Sequence, residues 1–305
     1  MERAPLLRGQ QPICYGPART RSHTTMPHQP MTCRLLAALL VAAGLLASPA
    51  DEARSKPGVR SETIADAHLY FPDTVGSRWR YRGHIEDLPL QKIGAAKSYT
   101  NVSSVTGVKT INGVTVTVFH DTNPASHGPT DSYYRRDAVG VVYYGSSPGT
   151  PIERQVIPYQ IVRFPIAMPS SFQQFDRKGV DFGNDVDGDG TEEKADVEAS
   201  VTVVGKESVV VPAGSYTDTI RMEARMSLRI HLSKSKRSVV STDLLTAWFA
   251  RGIGLVKYTE HQEMPPAATD RGWITEITEE LEEADVKTPA AFTPGEQIRA
   301  AAYSR

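Results

Sequence analysis

Cysteine is nearly absent from this chain, and both copies lie where they cannot hold a fold. Cys14 and Cys33 fall within the first fifty residues. After Ala50 there are none, so no disulfide and no thiolate metal site can stabilise the remaining 255 residues. Paired histidines are missing as well. His68, His84, His120, His127, His231 and His261 never fall as H-x-x-x-H or H-E-x-x-H, which leaves a zinc hydrolase without support. Long apolar runs are also lacking. The one from Leu35 to Leu46 has twelve residues, too few for a spanning helix, so no transmembrane segment is expected. Excess positive charge is absent too. The net charge is −1, and five arginines with one glutamate fall in the first fifty residues, leaving 29 basic and 34 acidic side chains after Ala50. That mild acidity argues against nucleic acid and anionic membrane surfaces as partners.

What is present first is an address. Met31-Thr-Cys-Arg34 is a short basic start, Leu35–Leu46 an apolar stretch, and Ser48-Pro49-Ala50 a set of small residues at a cleavage position. Residues 31–50 therefore read as a signal peptide, and the protein as periplasmic or extracellular. Cys33 precedes the apolar run, where a lipidated cysteine would come after it, so the expected product is not lipid-anchored. Residues 1–30 read as a disordered or mis-assigned start.

The rest reads as β structure. Trp248 to Tyr258, WFARGIGLVKY, is an aromatic pair, a glycine turn and a strand. Tyr134 to Tyr144, YRRDAVGVVYY, repeats it more weakly, with Gly140 falling on Gly254 and Tyr144 on Tyr258. A second landmark recurs in the same order: Phe71 and Trp79 are eight residues apart, as are Phe164 and Phe172. These pairs suggest two β repeats, 62–163 and 164–284, with a disordered tail over 285–305. Asn112-Gly113, flanked by Ile111 and by the β-branched run Val114–Val118, predicts a tight hairpin. From Thr219 to Leu232, Ile220, Met222, Ala224, Met226, Leu228 and Ile230 alternate onto one face, as in a strand with one side on a core. Residues 146–155 read as a Gly/Pro loop. Short helices are expected only in 51–67 or 279–284. The fold expected is all-β: antiparallel meanders forming a curved sheet or half-barrel, in two pseudo-repeats.

Val211-Pro-Ala-Gly-Ser-Tyr216, with the later Trp248-Phe-Ala-Arg-Gly-Ile-Gly-Leu-Val-Lys257, resembles a family of exported bacterial proteins. That family carries a VPAG-[FY] turn and a W-x-A-x-G-[VI]-G-x-V-K segment. Trp79 and Tyr81 match its early W-x-Y strand, and Ser215 departs from its VPAG-[FY] spacing. The resemblance covers roughly residues 68–282. It implies a fold similar to the half-barrels of lipoprotein carriers, and it brings no catalytic residues.

The strongest chemical signal is Asp185-Val-Asp187-Gly-Asp189-Gly190-Thr191-Glu-Glu193-Lys-Ala-Asp196. Acids at positions 1, 3, 5, 9 and 12, with glycine at 6, have the spacing of a twelve-residue Ca²⁺ loop. Asp185, Asp187, Asp189 and Asp196 would ligate through side chains, Thr191 through its carbonyl, and Glu193 through a water. The flanks read as strands, so the expected role is a structural calcium loop rather than a helix–loop–helix sensor. Gly145-Ser-Ser147-Pro-Gly149 matches a nucleophile-elbow pattern, but Pro148 to Pro151 disfavour the helix that an elbow needs. Trp79, Tyr81, Tyr134 and Trp248 are the candidate ligand face. The reading is a binding or scaffold protein without catalytic activity, taking a small or apolar ligand or an envelope partner. The alternative is a secreted hydrolase using His120, Asp121 and the acids between Glu276 and Glu283.

Overall fold

The structure is a computed structural model that describes residues 61–89, 97–123, 128–267 and 271–288. The expected signal peptide, residues 1–30, both cysteines, His127 and the expected tail from 289 onward lie outside these, while Asp285, at the start of that tail, ends β14. Two six-stranded meanders make one sheet. The first comprises β2 (Arg78–Pro89), β3 (Lys97–Ile111), β4 (Val114–Asp121), β5 (Thr130–Asp137), β6 (Gly140–Ser147) and β7 (Tyr159–Arg163). The second comprises β9 (Ser170–Asp181), β10 (Lys194–Val211), β11 (Gly214–His231), β12 (Ser238–Ala250), β13 (Gly254–Met264) and β14 (Trp273–Asp285). Every neighbour is antiparallel, and β2 pairs with β14, so the order runs β7-β6-β5-β4-β3-β2-β14-β13-β12-β11-β10-β9. A separate small pair joins β1 (Glu62–Ile64) to β8 (Ile166–Met168). Gly140 and Gly254 each open the fifth strand of their meander, while Trp79 and Phe172 lie in the first.

The sheet curves until its edges nearly meet, further than a half-barrel. The Gln174 amide on β9 donates to the Gln160 carbonyl on β7 at 3.0 Å. An aromatic chain tracks the same curve: Trp79, Phe119, Tyr134, Tyr143, Tyr159 and Phe175 stand 5.1–6.2 Å apart, ring to ring, from β2 across the seam to β9. Register shifts at Val105/Gly107, Val203/Gly205, Trp248/Phe249 and Leu281/Glu283 supply local bends, as extra residues in a ladder do. The alternation expected along β11 holds: Ile220 through Ile230 face inward at every second residue and are at most 4 % exposed. The Asn112-Gly113 hairpin forms, with positive φ at both residues, the geometry that matches strand twist.

Two local expectations fail. Residues 146–155 are not all loop, because a helix, α1, spans Pro151–Val156. Thr150 caps it, its hydroxyl accepting from Glu153 N at 3.1 Å, with proline in the first turn. Residues 279–284 are not helical but part of β14, because their alternate side chains face the interior. A short 3₁₀ turn forms at Ala67–Tyr70, sharing only Ala67 with the other window, of which residues 51–60 lie outside the described residues.

Candidate functional site

The curved sheet holds a half-open cavity of about 180 Å³. Its walls are the rings of Phe71, Trp79, Tyr81, Phe119, Tyr134, Phe249 and Tyr258, with Val141, Ile161 and Leu255 between them. Alternation along each strand explains the selection. Trp79 and Tyr81 share one face of β2, Phe119 and Asp121 one face of β4, and Tyr258 and Glu260 one face of β13. Trp79 and Tyr81 use their polar tips structurally. The indole N–H donates to Ile253 O at 2.7 Å and the phenol to Leu255 O at 3.0 Å. The glycine turn and strand within Trp248–Tyr258 thus fix both rings, leaving ring surface to line the space. The segment 70–73 also contributes to the wall, and Asp73 is ion-paired with Arg136 of β5.

Polar groups line the cavity as well: Asn101, Ser103, Asp121, Asn123, Arg136, Glu260 and Glu279. Asn101 is the hub of a network. Its amide donates to Glu279 Oε2 at 3.1 Å, and its carbonyl oxygen accepts from Thr122 Oγ1 at 3.0 Å and Asn123 N at 3.1 Å. Tyr99 donates to the other Glu279 oxygen at 2.8 Å. Burial, and after it the charges of Glu279 and Asp121, pushes the Tyr81 phenol well above its ordinary value. Burial and Asp121 do the same to Tyr134. Beside this wall the Gln262 amide donates to Glu260 Oε1 at 2.7 Å and to Asp243 Oδ2 at 3.4 Å. Asp243 is raised well above the usual carboxylate range, first by burial and then by the charge of Glu260.

Of the expected ligand face, Trp79, Tyr81 and Tyr134 meet at the cavity and Trp248 does not. Trp248 lies between its cross-strand neighbours Arg221 and Lys257, each 5.9 Å from the ring. Phe249 takes its place, since adjacent strand residues face opposite ways. The same rule separates the residues of the hydrolase alternative. Asp121 lines the cavity, while His120 pairs with Asp131 across to β5 at 2.8 Å. Glu276 pairs with His261 at 2.5 Å, whereas Glu279 lines the cavity.

The acidic loop, residues 182–193, divides its expected ligands. Asp185, Asp187 and Glu193 bring carboxylate oxygens within 4.8 Å of one another. Asp189 instead accepts from Thr191 N at 2.9 Å and from Ser233 Oγ at 2.7 Å. Asp196 has left the loop: it lies on β10, accepts from Gly179 N at 3.0 Å and stands 3.3 Å from His231 Nε2. Thr191 is exposed. Sequence reasoning also missed Glu153, almost fully buried at 1 % exposure and accepting from Ser146 N at 2.5 Å. Burial pushes its carboxyl up against the opposing pull of Ser146. The signal was present as Thr150-x-x-Glu153, the spacing of a capping box.

Among the described residues no helix is long and apolar enough to cross a membrane. No family model matches the chain, and no curated protein does. Two solved structures are similar to it. One, from Parabacteroides distasonis, is provisionally named a lipoprotein; it is 16 % identical over 71 % of this chain and 98 % of its own, with a TM-score of 0.33. The other, from Bacteroides fragilis, is provisionally named an exported protein with a YmcC-like fold; it is 13 % identical over 70 % of this chain and 98 % of its own, with a TM-score of 0.32.

Proposed function

We propose that this chain is an exported, non-catalytic binding protein of the cell envelope, and that the barrel cavity holds a compact ring-sized ligand. The observation that carries this reading is the cavity of about 180 Å³ walled by aromatic rings and edged by carboxylates. A dry cavity of roughly 150 Å³ is enough to bind benzene, so one ring with a short substituent fits. Ring faces attract cations, Asp121, Glu260 and Glu279 do the same, and the lining guanidinium of Arg136 is already paired with Asp73, which favours an amine over an acid as the ligand's polar end. Export is carried by the basic start, apolar run and small residues of 31–50. The absence of catalysis is supported by the split between His120 and Asp121, which gives a hydrolase no shared point at which to hold a reacting atom. Docking of an envelope partner on a sheet edge is the weaker reading, because the edge strands β7 and β9 already face each other across the seam. In this reading calcium in the 182–193 loop serves the scaffold, not a reaction.

Calorimetric titration with benzylamine, indole and benzoate tests the reading. Benzylamine should bind best and benzoate least, and Ser103→Phe, which places a ring in the cavity, should abolish binding. No binding by any of the three, or binding unchanged in Ser103→Phe, would overturn it.

A further inference from the structure

The acidic loop holds two buried carboxylate oxygens that nothing among the described residues satisfies. Asp187 is 4 % exposed and Glu193 1 %. One oxygen of each is engaged by the tip of the β11–β12 hairpin: Lys234 N donates to Asp187 Oδ2 at 2.9 Å, and Ser233 N to Glu193 Oε2 at 2.9 Å. The other oxygens, Asp187 Oδ1 and Glu193 Oε1, are buried without a hydrogen-bond partner. Asp185 brings a third carboxylate to the same point. Like charges this close repel, and a buried carboxylate oxygen with no donor is costly. A cation at that point removes both penalties together.

The loop backbone is already wound for one. Asp185 accepts from Gly188 N at 2.7 Å, Asp189 N at 3.2 Å and Gly190 N at 2.7 Å. Positive φ at Gly188 and Gly190 permits that winding, which turns the acids toward a common centre. All three side chains are hard oxygen donors, and among the described residues no sulfur or imidazole joins them, which selects an alkaline-earth ion over a transition metal. Three carboxylates supply three to six oxygens, and water and carbonyl groups complete the six to eight that Ca²⁺ takes at flexible geometry. Mg²⁺ demands a stricter octahedron and gives up its water reluctantly.

We propose that Asp185, Asp187 and Glu193 bind one Ca²⁺, and that this ion fastens loop 182–193 to the β11–β12 hairpin. The proposal rests on the calcium part of the reading above and is independent of the cavity. It differs from a twelve-residue calcium loop in its closing ligand. Glu193, at position 9, enters directly, and Asp196, at position 12, takes no part. It is also not local to the loop, because Ser233 and Lys234 hold the far oxygens of two ligands while Ser233 Oγ holds Asp189.

The test is calorimetry and thermal unfolding of the chelator-treated full chain, with CaCl₂ and separately with MgCl₂. One Ca²⁺ per chain should bind, with a dissociation constant on the order of 10⁻⁴ to 10⁻³ M. The midpoint should rise by about 3–10 °C in 10 mM calcium and much less in magnesium. Asp187→Asn and Glu193→Gln should each abolish the calcium response, yet raise the midpoint in chelator, because each removes a buried unpaired charge. Asp196→Asn should leave the response intact. The absence of heat and shift with the parent protein would overturn the proposal. So would loss of binding in Asp196→Asn, equal binding of Mg²⁺, or a lower midpoint in chelator for both Asp187→Asn and Glu193→Gln.

Discussion

Gly83 sits where an added methyl group should be expensive, because a tyrosine ring lies directly over it. Tyr99, Gly83 and Glu279 form one row across β3, β2 and β14. The Tyr99 ring crosses β2 above Gly83 to reach Glu279 Oε1 at 2.8 Å. A Cβ at residue 83 would lie 2.2 Å from the Tyr99 ring, so the ring must move. Moving it forfeits a hydrogen bond to a buried charged acceptor, worth about 1.5–3 kcal/mol. Alanine returns about 0.5–1 kcal/mol through lower backbone entropy in the unfolded chain. The net loss is then about 0.5–2.5 kcal/mol, a fall of roughly 1–10 °C in midpoint for a domain of this size. Gly107→Ala is the control. That glycine also lies in a strand, but its Cβ meets nothing within 4 Å. It should be neutral or stabilising by up to about 1 kcal/mol. Circular dichroism melts of both variants, repeated in a Tyr99→Ala background, form a double-mutant cycle. With the ring gone, Gly83→Ala should cost nothing. An equal cost in both backgrounds would refute the reasoning.

Three more outcomes are expected from the same structure. Thr150→Ala removes the cap of α1 and should cost about 1 kcal/mol, read as a drop in melting midpoint. Asp243 is raised by burial, so the folded state binds its proton more tightly than the unfolded chain does. The stability it contributes is therefore complete below about pH 3.9 and is lost as pH rises through the folded value. Asp243→Asn should flatten that decline, and a midpoint-versus-pH series with the same slope as the parent would count against it. Phe249→Ala should weaken benzylamine binding while Trp248→Ala leaves it unchanged, since only Phe249 lines the cavity. Calorimetry of the two variants decides the point.

The parts of the fold that the sequence announced are those set by local chemistry. Asn112-Gly113 demanded a tight turn, β-branched runs demanded strands, and the six inward residues of β11 showed their face by alternation alone. The acidic loop was visible by spacing. What was hidden depended on contacts distant in sequence or on which of two adjacent residues faces in. Closure of the sheet rests on the β2–β14 ladder and the Gln160–Gln174 seam, which no short window contains. Trp248 and Phe249 are equally good wall residues by type, and the parity of β12 decides which one enters, because Phe249 shares the inward face of Leu245 and Ala247. Asp196 fits a calcium loop by number, but β10 begins at Lys194 and carries Asp196 into the ladder. Helix α1 was masked by the prolines and glycine around its cap, although Thr150 and Glu153 stood at capping distance throughout.

The central claim is that the sheet holds a cavity that takes a small ligand against Trp79. The chain has three tryptophans, so Trp248→Phe with Trp273→Phe leaves Trp79 as the only indole. Titrating that variant with benzylamine and reading indole emission tests the claim most directly. A saturable change that vanishes when Ser103→Phe is added is the predicted result. Emission that stays flat, or drifts linearly without saturation, would contradict the account.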